Sequence, residues 1–192
     1  MAKLYFRYSA MNSGKTTSLM QAAFNYEERG MHPVVMKPAI DSKGADSIIS
    51  RLGVSRPVDI LLGPEQSVTA ALSAYPDCHC LLIDEAQFLT PKQVDELLWY
   101  ATTQNVPVLA YGLRTDFQTK GFPGASRLLE LAHELQELKT ICRCGRKALL
   151  NGRRQAGQFI FTGDQVAIDG EADIDYESLC ASCYHRLRGA AA

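Results

Sequence analysis

Short apolar runs alternate, over the first 140 positions, with segments whose apolar residues recur every three or four places. The runs at 4–8, 34–36, 81–83 and 106–113 are nearly continuous, as in strands buried on both faces. Residues 58–62 read as a further strand, and 65–74 and 125–132 as helices. Residues 15–29 read as a helix stopped by Gly30. At Thr90-Pro91-Lys92-Gln93 several start signals coincide: Thr90 can cap, Pro91 suits the first helical position, and Gln93 completes a capping box. Val94, Leu97, Leu98 and Ala101 then continue on one helical face. Strands alternating with helices predict an α/β fold with a parallel sheet flanked by helices. Residues 39–57 have no clear period and read as a mobile loop. Past Lys139 the pattern changes to cysteine, glycine, arginine and short strands. A boundary near residue 140 follows, with an α/β unit over 1–140 and a small unit over 141–192.

Charge narrows the choice of partners. Lys plus Arg total 20 against 21 Asp plus Glu, so no broad basic field exists to hold nucleic acid. No apolar run is long enough to cross a bilayer, and the N-terminal run leads straight into a functional loop. The expectation is a cytoplasmic protein with neither nucleic acid nor membrane as partner. Six cysteines in a reducing compartment argue against disulfides, and two close pairs argue for metal.

Ser9-Ala10-Met11-Asn12-Ser13-Gly14-Lys15-Thr16 lies between the first strand and the first helix. It fits the phosphate-binding loop G-x-x-x-x-G-K-[ST] at every fixed position except the first, where Ser9 stands for Gly. Successive backbone N–H groups and a helix N-terminus converge there on phosphate. Lys15 would reach the β- and γ-phosphates of ATP, and the Thr16 hydroxyl would ligate Mg2+.

Leu81-Leu82-Ile83 ends in Asp84-Glu85. A carboxylate at the carboxyl end of a second buried strand orients magnesium in phosphate-loop proteins, a role that falls to Asp84. Glu85 lies beside the metal position and can accept a proton from an attacking oxygen. Whether that oxygen belongs to water or to a substrate alcohol, ATPase or kinase, stays open at this level.

Cys142-Arg143-Cys144 and Cys180-Ala181-Ser182-Cys183 are separated by 35 residues. Two close pairs can clamp a long loop around a structural Zn2+ with four protein ligands, and His185 is near enough to replace one. Cys78 and Cys80, at the start of an apolar strand, read as packing residues.

Together these stretches resemble the zinc-containing (type II) thymidine kinases, from Leu4 to about Arg186. Besides the phosphate loop, the resemblance is carried by Asp84-Glu85-Ala86-Gln87-Phe88, Tyr111-Gly112-Leu113-Arg114-Thr115-Asp116-Phe117 and the run from Leu138 to Ala148. It implies a RecA-like phosphate-loop domain with a small zinc-binding lasso domain. Glu85 would be the base for the thymidine 5′-hydroxyl, and Gln87 would lie near the phosphates with Asp84. Met11, Leu113 and Phe117 would line the thymine pocket, and the lasso would hold the base near Val166, Ile168 and Tyr176. A homotetramer inhibited by thymidine triphosphate is also implied. The lasso departs from the family's Val-Ile-Gly-Gly-like run, reading Val166-Ala167-Ile168-Asp169-Gly170, with a charge where Gly is common. The alternative class is a nucleic-acid-binding ATPase that uses its zinc module to bind. Near-neutral charge, no second helicase core and no Lys/Arg-aromatic stripe count against it.

Overall fold

The computed structural model describes residues 1–39, 47–50, 52–165 and 174–190. Six parallel strands form the central sheet: β1 (Leu4–Ser9), β2 (Pro33–Pro38), β5 (Ile60–Leu62), β6 (Cys80–Ile83), β7 (Val108–Leu113) and β8 (Glu134–Glu137). Their order is β5-β2-β6-β7-β1-β8. Successive side chains along a strand point to opposite faces. Leu4, Phe6, Val34, Met36, Leu81, Ile83, Val108 and Ala110 therefore share one core. Helices α2 (Val68–Leu72), α3 (Pro91–Thr103) and α4 (Pro123–Leu131) cover it with Leu72, Leu97 and Leu128 among others. The alternate set, Val35, Cys80, Leu82, Leu109 and Tyr111, packs on Leu19 and Ala23 of α1 (Lys15–Glu27). Burial on both faces explains why these strands read as unbroken apolar runs.

The expected start of α3 is present in full. Thr90 Oγ accepts from the Gln93 N–H, and Gln93 Oε1 accepts in return from the Thr90 N–H. Three expectations need correction. Of the loop expected over 39–57, residues 40–46 and 51 lie outside the described residues, but β3 (Ser47–Ile49) and β4 (Ser55–Pro57) pair antiparallel, with Ile48 buried and Arg56 joined to Glu27 of α1. The strand expected at 58–62 begins at Ile60, because Asp59 turns its carboxylate to the Val35 N–H, 2.7 Å away. The helix expected over 65–74 is only Val68–Leu72, since Ser67 caps it by accepting from the Ala70 N–H.

Beyond β8, β9 (Thr140–Ile141) pairs with β10 (Lys147–Ala148), and β11 (Leu150–Gln155) lies between β12 (Gln158–Ile160) and β13 (Ile174–Leu179). Helix α5 (Ala181–Ala190) closes this region. A separate small core, Cys142, Ala148, Leu179, Cys180, Cys183 and Tyr184, holds it together. Among the described residues no helix is long and apolar enough to cross a membrane.

Candidate active site

All six sheet strands are parallel, so their carboxyl ends share one edge, where ligands gather in open α/β sheets. Ser9 pairs with Leu113 at that edge, and Ile83 pairs with Ala110. Strand β7 thus runs beyond the end of β6, and the turn after Asp84 packs against its last residues.

The phosphate loop leaves β1 there. Gly14 precedes α1 at φ 80, a left-handed conformation that glycine adopts without penalty, and no side chain caps the helix. The first N–H groups of α1 are therefore left for an anion. Lys15 is buried, and its ammonium donates to Ser9 Oγ and the Ala10 carbonyl, each at 3.2 Å. Ser9 Oγ also meets Ser13 Oγ, so the residue that departs from the motif is built into the loop.

Thr16 Oγ1 donates to Asp84 Oδ2 at 3.1 Å, joining the loop to the end of β6. Asp84 is 4% exposed, and burial first, then the Glu85 charge, push its carboxyl up to about 6. A carboxylate kept from water and touching the threonine of a phosphate loop suits a cation. Glu85 itself has φ 51 and ψ 37, a sparsely populated conformation for a residue with a side chain. Its carboxylate accepts from Gln87 Nε2 at 2.5 Å, and Gln87 Oε1 accepts from the Leu113 N–H at 3.0 Å. Gly112 makes room: a Cβ there would lie 2.8 Å from Gln87 Oε1. Gln87, 1% exposed, spends its amide on Glu85 and Leu113.

A cleft of about 1130 Å³ runs along the loop from Met11 to Thr16, past Glu85 and Leu113 and beside Gln21 and Asn25 of α1. Phe117 and Tyr176 do not line it. Phe117 is 1% exposed, with the Arg153 guanidinium 3.7 Å from its ring centre. The Tyr176 hydroxyl accepts from Arg153 Nε at 2.9 Å. Val166, Ile168 and Asp169 lie outside the described residues.

Asn151 and Arg153 join the site without any forewarning in the sequence. Asn151, 2% exposed, accepts from the Met11 N–H at 2.7 Å and donates to the Thr115 carbonyl at 2.8 Å. After Leu150 the run Asn151-Gly152-Arg153-Arg154-Gln155 has no apolar side chain, so hydropathy gives no sign that Asn151, Gly152 and Arg153 are buried.

The thiols of Cys142, Cys144, Cys180 and Cys183 all lie within 4.8 Å of one another. Cys144 Sγ is 3.6 Å from Cys180 Sγ, near the ~3.8 Å edge of a zinc–thiolate tetrahedron. The Cys183 N–H donates to Cys180 Sγ and pulls that thiol down to about 7. The thiols of Cys144 and Cys180 push Cys183 up to about 12, as expected where thiols crowd around one point, and a cation among them would favour their ionised form. The cluster is made of cysteines alone among the described residues, and His185 is not part of it. Cys78 and Cys80 are buried in the two sheet cores, as packing residues.

A family model described as thymidine kinase matches residues 2–184. A thymidine kinase of Ruegeria pomeroyi is 48% identical over 195 residues, spanning 98% of this chain and 96% of its own. One from Legionella pneumophila (strain Paris) is 47% identical over 200 residues, spanning 100% of this chain and 92% of its own. The thymidine kinase of Enterobacteria phage T4 is 43% identical over 191 residues and covers 97% of each chain.

Proposed function

The chain belongs to the thymidine kinase family, and from that premise we propose that it transfers the γ-phosphate of ATP to the 5′-hydroxyl of thymidine, and of deoxyuridine, in pyrimidine salvage. One observation above all supports this reading. Glu85, a carboxylate held by Gln87 in an otherwise unfavoured backbone conformation, sits on the cleft beside the phosphate loop and next to the buried Asp84. A side chain fixed there, adjacent to the metal position, suits a general base for a bound alcohol.

In the mechanism, the N–H groups of residues 12–16 and the Lys15 ammonium receive the β- and γ-phosphates. Thr16 and Asp84 would hold magnesium, which would supply charge stabilisation to the transferred group. Glu85 takes the proton of the 5′-hydroxyl as its oxygen attacks in line, and most of the acceleration comes from positioning. Met11, Leu113, Phe117 and Tyr176 receive the nucleoside, with the lasso residues Val166 and Ile168. Cys142, Cys144, Cys180 and Cys183 hold a structural zinc ion. We divide the chain near residue 140 into a nucleotide-binding unit and a lasso unit. A cytoplasmic homotetramer, inhibited by thymidine triphosphate, completes the proposal.

The test is product analysis with magnesium ATP and each common deoxynucleoside in turn, for the wild type and Glu85→Gln. Thymidine monophosphate from the wild type, with turnover lowered about 10²- to 10⁴-fold in the variant, is the expected outcome. Free phosphate alone, indifferent to nucleoside, would return the chain to the ATPases, and full turnover in Glu85→Gln would remove that residue from the role.

A further inference from the structure

We propose that Arg153 is a positioning residue for the nucleoside acceptor, pinning the Phe117 ring and the Tyr176 phenol in one arrangement. Strand β11 presents its two neighbouring arginines to opposite sides. Arg154 faces outward to Asp175, whereas Arg153 is 3% exposed. Its guanidinium lies among groups that carry no charge. The Phe117 ring covers it at 3.7 Å, and the Tyr176 ring centre is 5.4 Å away. Nε donates to the Tyr176 hydroxyl at 2.9 Å, Nη1 to the Asp164 carbonyl at 2.9 Å, and Nη2 to the Gln165 carbonyl at 3.1 Å.

Burying a guanidinium is costly, and among the described residues the partners recorded for this one are an aromatic face and three neutral oxygens rather than a carboxylate. What the arrangement supplies is rigidity. A planar fork fixes three oxygens relative to one another and fixes the ring stacked on it, which neither Lys nor an apolar residue can do. Because the Tyr176 oxygen accepts from Nε, its own O–H points away from the cation. Phe117 is held from a second direction by Tyr184, whose hydroxyl donates to the Phe117 carbonyl at 2.7 Å. Arg153 thus reaches the acceptor through Phe117 and Tyr176, and the inference rests on the reading that those two residues face the nucleoside.

Steady-state kinetics of the full chain with thymidine and ATP, each varied in turn, test it. Arg153→Met, which keeps bulk but loses the fork and the charge, raises the thymidine KM about 10- to 100-fold. The ATP KM stays within about two-fold, because among the described residues Arg153 has no hydrogen bond to residues 9–16, and the Tyr176 group it holds is the phenol rather than the carbonyl that accepts from Asn12 Nδ2. Arg153→Lys falls between, retaining charge over the ring without the fork. Tyr176→Phe removes the shared hydroxyl, so its effect shrinks in the Arg153→Met background. Zinc content and thermal midpoint are read on the same samples. Thymidine KM values unchanged in both Arg153 variants, or equal rises for both substrates, overturn the proposal. Should Arg153→Met not fold, Arg153→Lys decides by the same criterion. A wild type that makes no thymidine monophosphate would defeat the acceptor reading itself and this proposal with it, and the unmutated protein reveals that case.

Discussion

Asp84 carries its charge where water is scarce, and that has a sign. A folded carboxyl at about 6, against 3.8 when unperturbed, binds protons in the folded state that the unfolded chain has already released. Its contribution is therefore favourable below about pH 4 and declines as pH rises through 6, the reverse of a salt-bridged aspartate. The loss is on the order of a few kcal/mol and accumulates as pH rises from about 4 through 6. Urea unfolding in magnesium-free buffer should show wild-type stability falling over that range relative to Asp84→Asn; parallel curves would mean the carboxylate is not so disfavoured. At this scale the sequence announces Lys15, Thr16, Asp84 and the four cysteines because a backbone or a metal constrains their spacing. Arg153 and Asn151 carry no such spacing. Each works through the loop or ring it meets across the fold, and a lone polar residue in a polar strand gives no warning of that.

Among the elements, β11 and β13 contribute no residue to the lining of the cleft, yet they hold the loop that does. Asn151 of β11 and Ser178 of β13 hold the Met11 peptide from both sides, its N–H and its carbonyl, while Asn12 Nδ2 donates to the Tyr176 carbonyl at 3.1 Å. The donor loop is thus braced by strands on the far side of the chain. Asn151→Ala takes their partner from the half-buried Met11 N–H and Thr115 carbonyl, which costs about 1–2 kcal/mol of stability. Initial-rate measurements should find the ATP KM raised about ten-fold, although Asn151 lies outside the phosphate loop. Unchanged ATP kinetics would leave the brace without effect on the donor. The elements most legible in the sequence are those with one periodic apolar face or a complete cap, such as α3. Strand β8, Glu134-Leu135-Gln136-Glu137, is polar because it is an edge strand, and only pairing with β1 makes it a strand at all. In the β3–β4 hairpin, the apolar burial of Ile48 comes from α1 and the sheet rather than from the hairpin's own pattern. Helix α5 goes unread because it follows the last cysteines with little apolar content of its own.

Taken whole, the molecule rests on two cores of different kinds. The sheet is filled by aliphatic side chains, whereas three of the six buried members of the C-terminal core are cysteines of the thiol cluster. Stripping zinc with a chelator, or changing Cys183→Ser, should therefore loosen β9–β13 and α5 while the six-stranded sheet persists. Circular dichroism would then keep most of its helical signal as phosphorylation of thymidine disappears; an active, equally heat-stable protein freed of metal would contradict that division. The bonds from Asn151 and Ser178 to Met11 have a further consequence, which concerns synthesis rather than catalysis. A chain is made from its N-terminus, at about 5–20 residues per second, and its early domains fold first. The strands of the sheet are complete by Glu137, yet Met11 is not held at both its N–H and its carbonyl until Asn151 and then Ser178 emerge. A nascent copy therefore owns an ATP cradle for several seconds before it owns a kinase, and the residues around Ser178 decide when those around Met11 begin to work.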